Sequence, residues 1–330
     1  MQILFKVAQF WMPFNSIELI DALVAEANIG DITAGLLEKD EHLTAALQSL
    51  FGLSFEHASL VFCGGTSLSK AHGLIERMSE DADIKVVLSP DTVNWSKTQL
   101  RRYLGDEVRG QVVQALEGCG LAEIVDSRRS LNDNQYIQSQ WAYKRAYDGI
   151  AALRPNLQME LIARNPVLPT ETISIGSLAD KLAGHTGVAF SVPVISVAET
   201  LAEKVLSFLR RFALHRSGQM QQDWDKALVR HIYDVHCIMS RKPDVQYDCV
   251  AAFSALTAGD VKEFGYQDEK FAANPGAVLK IALSQIEDDA QSRDEYNHVL
   301  LPLVFGTGKF SFDEAWGSFR EISQRLITTL

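Results

Sequence analysis

Two periods of apolar residues alternate along the chain and divide it. Up to residue 51 the spacing is helical: Ile17, Leu19, Ile20, Leu23 and Val24 form one apolar group, and Leu36, Leu37, Leu43, Leu47 and Leu50 another. Asn28-Ile29-Gly30 reads as the stop between them, with Asp31 or Thr33 to cap the second helix. Apolar runs at residues 60–63 and 84–88 read as strands, joined through Gly64-Gly65 and a helical stretch opened by Thr66-Ser67. Residues 92–118 predict a helix ending at Gly118-Cys119-Gly120, and residues 136–143, 157–162 and 171–175 predict three further strands. After Ser177 the pattern turns helical. Residues 198–211 carry Leu201, Val205, Phe208 and Leu209 on one stripe, and residues 226–239 form a second helix. The tail from residue 250 is mostly helical, residues 300–305 included, with breaks near Gly265, Asn274-Pro275-Gly276 and Gly306. This order predicts an α+β chain in two parts, residues 1–176 with the strands and residues 177–330 as a helical lobe.

Composition narrows the class. The chain has 330 residues, 47% apolar and 22% charged, as in a soluble globular protein large enough for one big domain or two lobes. No apolar run approaches the roughly 18 residues of a membrane span. Lys6 interrupts the apolar N-terminus and no small-residue cleavage site follows, so no secretory leader is expected. The four cysteines (Cys63, Cys119, Cys237, Cys249) have neither CxxC nor metal-like spacing and are expected as buried free thiols, which suits a reducing cytoplasm. A net charge of −11 argues against a general nucleic-acid coating protein. The charge is uneven, however. Between residues 127 and 164, Arg128, Arg129, Lys144, Arg145, Arg154 and Arg164 face only Asp133, Asp148 and Glu160, and residues 204–230 are similarly basic. If the two segments share a surface, it would draw triphosphate or RNA to one place.

The chemistry concentrates in residues 59–88. Gly64-Gly65 after a strand lets backbone approach a phosphate, and N–H groups at the following helix start favour an anion. Thr66, Ser67 and Ser69 add hydroxyl donors. Asp81 and Asp83 alternate on a strand edge, so both carboxylates face one way and repel unless a divalent cation lies between them. Mg2+ is the natural guest, because it takes carboxylate oxygens together with substrate phosphates. Farther on, alternation in LQMELI sets Gln158, Glu160 and Ile162 against Leu157, Met159 and Leu161. A lone acid on an apolar strand is costly unless paired, to Arg154 or Arg164, or bound to a cation. Glu38-Lys39-Asp40 reads as a solvated helix face with local ion pairs. His72, His215 and His236 read as packing or surface residues without zinc spacing, and Trp141, Tyr143 and Tyr147 as core.

In GGTSLSKAHGLIERMSEDADI the chain resembles the signature of the AbiEii/AbiGii toxin family of nucleotidyltransferases, part of the polymerase-β-like superfamily. GLLEKDEHLTAALQSLF is similar to that family's N-terminal helix, and LRPNLQMELIAR to its third-carboxylate strand. ISVAETLAEKVLSFLRR with VRHIYDVHCI resembles its paired C-terminal helices, and RDEYNHVLLPLVFGTGKFSFDEAWGSF its closing helices. Two departures stand out. Fourteen residues separate Thr66 from Asp81, slightly more than the usual spacing, and His231 stands where many relatives carry Asp, which leaves Asp234 in place.

The resemblance implies a polymerase-β-like core, a small mixed sheet with flanking helices, completed by the helical lobe. Asp81, Asp83 and Glu160 would hold a pair of Mg2+ ions, with Glu160 also a general base. Gly64, Gly65, Thr66 and Ser67 would cradle the phosphates of an NTP substrate. Lys204 would reach the triphosphate, and Asp234 would orient Lys204 or the nucleotide. Arg230 and Lys70 are further phosphate contacts. The alternative for Lys204 and Asp234 is a surface charge pair tying two helices. The implied activity is transfer of a nucleoside monophosphate to an acceptor hydroxyl, RNA such as a tRNA 3′ end, by the toxin of a toxin–antitoxin or phage-defence pair with a cognate antitoxin. Alternatives are the same transfer to a protein or small-molecule hydroxyl, and a non-catalytic nucleotide-binding partner protein.

Overall fold

The computed structural model describes residues 14–26, 30–149, 153–185, 189–220 and 223–330. Helix α1 (Phe14–Ala25) is followed by α2 (Ala34–Phe51), whose N-cap is Thr33, its hydroxyl accepting from the Leu36 N–H. Of the expected stop between them, Asn28 and Ile29 lie outside the described residues, while Gly30 takes φ +61°. Strand β1 (Ala58–Cys63) runs into α3 (Gly64–Lys70), and β2 (Asp81–Leu88) follows. The predicted helix at residues 92–118 begins later. Ser96 forms a capping box with Gln99, α4 (Lys97–Arg102) passes through a π-helical turn, and α5 (Arg109–Gly118) ends at the expected glycine.

Strands β3 (Ala122–Glu123), β4 (Arg129–Leu131), β5 (Tyr136–Ala142), β6 (Leu157–Ile162) and β7 (Glu171–Ile175) come next, then α6 (Leu178–Leu182) and β8 (Phe190–Val194). They form one mixed sheet of eight strands in the order β3-β5-β6-β2-β1-β8-β7, with β4 beside β5. The sheet is wider than expected because β3, β4 and β8 are short or irregular in pattern; β8 even contains Pro193. At its centre β2 runs antiparallel to β1 and parallel to β6. Phe62, Ile84, Val86, Trp141, Leu161 and Val194 meet Leu43, Leu47 and Leu50 of α2 and Leu104 and Leu116 of the long helix in one core. Each fully buried leucine contributes about 1.5–3 kcal/mol.

The chain divides into two units, and they are not contiguous in sequence. The first is Met1–Ala71, Met78–Asn165 and Thr172–Val194; the second is His72–Arg77, Pro166–Glu171 and Ile195–Leu330. The sheet-bearing unit runs past Ser177 to Val194. Residues up to Val194 stay with the sheet because β8 pairs in parallel with β1, Phe62 opposite Val194. Two short excursions join the second unit through their backbones. The Phe305 N–H donates to the Glu76 carbonyl at 2.8 Å, Arg77 bridges Val304, and the N–H groups of Val167 and Leu168 donate to Glu199 Oε2.

The second unit is helical: α7 (Val197–Arg216), α8 (Arg230–Arg241), α9 (Val245–Phe264), α10 (Glu269–Ala273), α11 (Pro275–Ile286), α12 (Ala290–Glu295) and α13 (Phe312–Ile327). Helix α7 is its axis, packed by α8, α9 and α11, and its stripe Leu201, Val205, Phe208 and Leu209 is fully buried. The cysteines are free thiols; Cys63, Cys237 and Cys249 are buried, and Cys119 is half-buried. Among the described residues no helix is long and apolar enough to cross a membrane.

Candidate active site

Gly64 carries the turn between β1 and α3. Its φ of +74° is a left-handed value that side chains disfavour, and a Cβ there would overlap the Asp83 carboxylate. The turn and Asp83 are thus pressed together, consistent with the register that sets Cys63 opposite Asp83. Thr66 and Ser67 are fully buried. Their hydroxyls, expected as phosphate donors, are used within the protein instead. Thr66 Oγ1 donates to the Asp81 carbonyl, tying α3 to β2, and accepts from the Ser79 hydroxyl at 2.9 Å, while Ser67 Oγ donates to the Gly64 carbonyl at 2.9 Å.

Asp81 and Asp83 occupy alternate positions of β2, both half-buried, with buried Ala82 between them. In the parallel pairing of β2 with β6, Asp83 lies in register with Glu160 and Asp81 with Gln158. Three acids therefore project from two neighbouring strands. Glu160 Oε1 accepts from Gln158 Nε2 at 2.7 Å and from Gln138 Nε2 at 3.1 Å, and Tyr136 also hydrogen-bonds the carboxylate. Burial, then the charge of Asp81, raises the Glu160 pKa. Neither Arg154 nor Arg164 takes the partner role weighed for Glu160 in the hydrogen bonds just described. Arg154 instead pairs with Asp81, Nη1 to Oδ1 at 2.5 Å. Oxygen donors on adjacent strands, one with its proton affinity raised by its neighbour, are the chemistry of a hard-cation site. As arranged, no group of three metal-ligating side chains closes round one point among the described residues.

Behind these carboxylates lies a buried ionic network that the sequence pattern concealed. Glu38, Lys39 and Asp40 are 1%, 1% and 6% exposed, which overturns their reading as a solvated face. Each acts at long range. Glu38 accepts from the Ala146 and Tyr147 N–H groups. Lys39 Nζ pairs with Glu80 Oε2 at 2.5 Å and donates to the Arg154 carbonyl at 2.7 Å, while the Arg154 N–H donates to the same Glu80 oxygen at 2.9 Å. The backbone of Arg154 is thereby clamped between Lys39 and Glu80, one residue before Asp81. Asp40 receives Lys70 Nζ at 2.6 Å and the Leu178 N–H, so Lys70 holds α3 to α2. Helical spacing showed these charges on a helix; it carried no signal of what lay opposite.

In the second unit, Asp234 of α8 is completely buried. Arg77 donates to it through both Nε and Nη2 at 2.7 Å, and Lys204 of α7 through Nζ at 2.7 Å. Burial alone would raise the Asp234 pKa, but Arg77 and Lys204 overcome it and hold the carboxyl far below its usual range. The charge pair between α7 and α8 is therefore real, but buried and reinforced by a third member. Arg77 escaped the sequence reading, although a charged residue beside Ile75 and Met78 in the quoted signature was a signal. Arg230 stands at the first turn of α8, partly exposed. His231 Nδ1 contacts the Lys204 carbonyl at 3.0 Å, and burial, then Lys204, lowers its pKa to about 3. It is thus a neutral buttress of α7 at physiological pH, not a substitute acid.

A search of the curated proteins found no match. Among solved structures, MenT4, a nucleotidyltransferase toxin from Mycobacterium tuberculosis H37Rv, matches with a TM-score of 0.51 and 17% identity over 95% of this chain and 94% of that one, a likeness of fold. The family model for the "Nucleotidyl transferase AbiEii toxin, Type IV TA system" matches residues 45–318. With strand, glycine turn and alternate acids inside that span, the chain belongs to the AbiEii family of nucleotidyltransferase toxins.

Proposed function

We propose that the protein transfers a nucleoside monophosphate from an NTP to a hydroxyl of RNA, a tRNA 3′ end being the foremost acceptor, and releases pyrophosphate. Its setting is the cytoplasm, as the toxin of a toxin–antitoxin or phage-defence pair restrained by a cognate antitoxin. The observation that carries this reading is the register of Asp83 with Glu160 beside a glycine turn that abuts Asp83. Asp81, Asp83 and Glu160 would hold Mg2+, a pair of ions in the full reading, which when bound neutralises triphosphate charge and lowers the pKa of the attacking hydroxyl. Backbone N–H groups at Gly64, Gly65, Thr66 and Ser67 would serve the phosphates; Lys204, oriented by Asp234, and Arg230 are the cations that the same reading assigns to an NTP. The acceptor oxygen bonds to the α-phosphorus as its bond to the bridging oxygen of pyrophosphate breaks. Glu160 would take the hydroxyl proton as general base.

The test is incubation of the full chain with labelled NTPs, Mg2+ and total tRNA. Label on RNA that disappears in Asp81→Ala supports the reading. Label on protein or a small molecule would shift the acceptor, and NTP binding without pyrophosphate release would leave a binding protein. No label anywhere, with Asp81→Ala and wild type alike in cells, overturns it.

A further inference from the structure

The first unit contains a cavity of about 290 Å3 that the residues assigned above do not explain. Its charged lining residues are Lys39, Arg145 and Arg154; Tyr143 adds an aromatic face, and the remainder are glycine, leucine and proline. No acid lines it among the described residues. Of the three cationic side chains in the lining, Lys39 and Arg154 are paired with Glu80 and Asp81, and the exposed Arg145 is the one placed to draw an anion. The volume admits a group about the size of one nucleotide. The walls are held in place. The Arg154 backbone is clamped by Lys39 and Glu80, and the Tyr143 ring is backed by His42 with centroids 4.4 Å apart.

The cavity also adjoins the carboxylates. Arg154 lines it and reaches Asp81, whereas the glycine turn abuts Asp83. An anion drawn to Arg154 would compete with Asp81 for the guanidinium.

We propose that this cavity seats one nucleotide of the single-stranded end of the acceptor RNA, with Arg145 and Arg154 on its phosphate and Tyr143 against its base. A cationic wall beside an aromatic face is the recurring chemistry for single-stranded nucleic acid, and a cavity of one-nucleotide size excludes a duplex. An acidic peptide would leave the aromatic face unused. The inference rests on the RNA reading of the acceptor given above.

Anisotropy of a fluorescein-labelled single-stranded RNA oligonucleotide, measured on the full chain in EDTA without NTP, tests binding apart from turnover. Arg145 is exposed, so Arg145→Ala folds as wild type does. The expected result is a dissociation constant raised about tenfold, a salt slope shallower by about 0.7 for the lost phosphate contact, and recovery of most affinity in Arg145→Lys. Tyr143→Ala weakens binding about as much with the salt slope unchanged. In turnover, Arg145→Ala raises the KM for tRNA and leaves that for NTP within about twofold. Unchanged RNA binding in Arg145→Ala overturns the inference, and so does a raised KM for NTP alone, which would make the cavity part of the donor site. If wild type binds no RNA, the cavity assignment fails while transfer to another hydroxyl survives. If RNA binds normally and no label is transferred, transfer fails and the cavity assignment stands.

Discussion

Glu160 and Asp234 are both acids on regular elements, yet their surroundings differ in kind. Asp234 lies between a bidentate arginine and a lysine, and its charge is more than balanced. Glu160 is held by two amides and a tyrosine, with a second carboxylate adding to its charge. Opposite pKa shifts follow: Asp234 falls because two cations outweigh burial, and Glu160 rises because burial and the charge of Asp81 outweigh its hydrogen bonds. The difference separates an ion fixed between two cations from a carboxylate that holds its proton more tightly.

The sharpest way to break the comparison is to remove carboxylates beside Glu160. Asp81→Ala and Asp83→Ala each lower kcat/KM for transfer by about 10^3-fold or more while thermal unfolding stays near wild type. If activity persists, the acids near Glu160 are structural after all. Arg77→Met acts on the other side. It leaves Asp234 one cation short in a fully buried position and costs about 3–5 kcal/mol in urea unfolding. Lys204→Met costs less, because Arg77 keeps both carboxylate oxygens, and its main effect is on the KM for NTP. Equal destabilisation by the two would show that Lys204 is purely structural.

Gly64→Ala follows in size, at about 1–3 kcal/mol of stability from the left-handed backbone, with activity reduced further as the new Cβ displaces Asp83. Titration with Mg2+ is gentler. At ten times its dissociation constant the ion stabilises wild type by about 1.4 kcal/mol, and it leaves Asp81→Ala unmoved. An equal rise in Tm for both proteins would place the ion elsewhere.

The pH dependence of stability is the smallest effect and the most direct reading of the contrast. Glu160 has its folded pKa raised above 4.5, so its contribution is full below that value and is lost as pH rises through the folded pKa. Glu160→Gln, which has no proton to lose, is therefore more stable than wild type at neutral pH, and the gap closes below about pH 4.5. Asp234 has the opposite sign. Its contribution is present above the unfolded value near 3.8 and is lost only as pH falls through a much lower folded pKa, so it adds no slope between about pH 5 and 8. Unfolding curves across that range distinguish the two groups.

Much of the architecture was readable along the chain because it is periodic. The α7 stripe, β6 and β7 follow from spacing, and the helix stop at Gly118 from the glycines themselves. Strand β8 was not, since five residues interrupted by Pro193 have no period strong enough to detect. The strand positions of Asp81, Asp83 and Glu160 were legible, and acids stood out there because a carboxylate in a strand is costly unless paired or bound. Arg77, Glu80 and Arg154 were not, because their meaning lies in partners such as Asp234, Lys39 and Asp81, and a charge in sequence does not show what faces it.

By itself, then, the amino-acid order determined which residues alternate on β2, where the glycine turn falls, and which stripe of α7 is apolar. These are local properties, set by backbone geometry within a few residues. Tertiary structure alone decided that Asp83 lies in register with Glu160, that Thr66 and Ser67 spend their hydroxyls within the protein, and that Glu38-Lys39-Asp40 is buried. It also decided that Asp234 is balanced by two cations while Glu160 is balanced by none in its amide and tyrosine shell. The physical reason is that burial and electrostatics depend on which distant segments meet, and a lone carboxylate becomes a fixed charge or a chemical one only when its neighbours across the fold are in place.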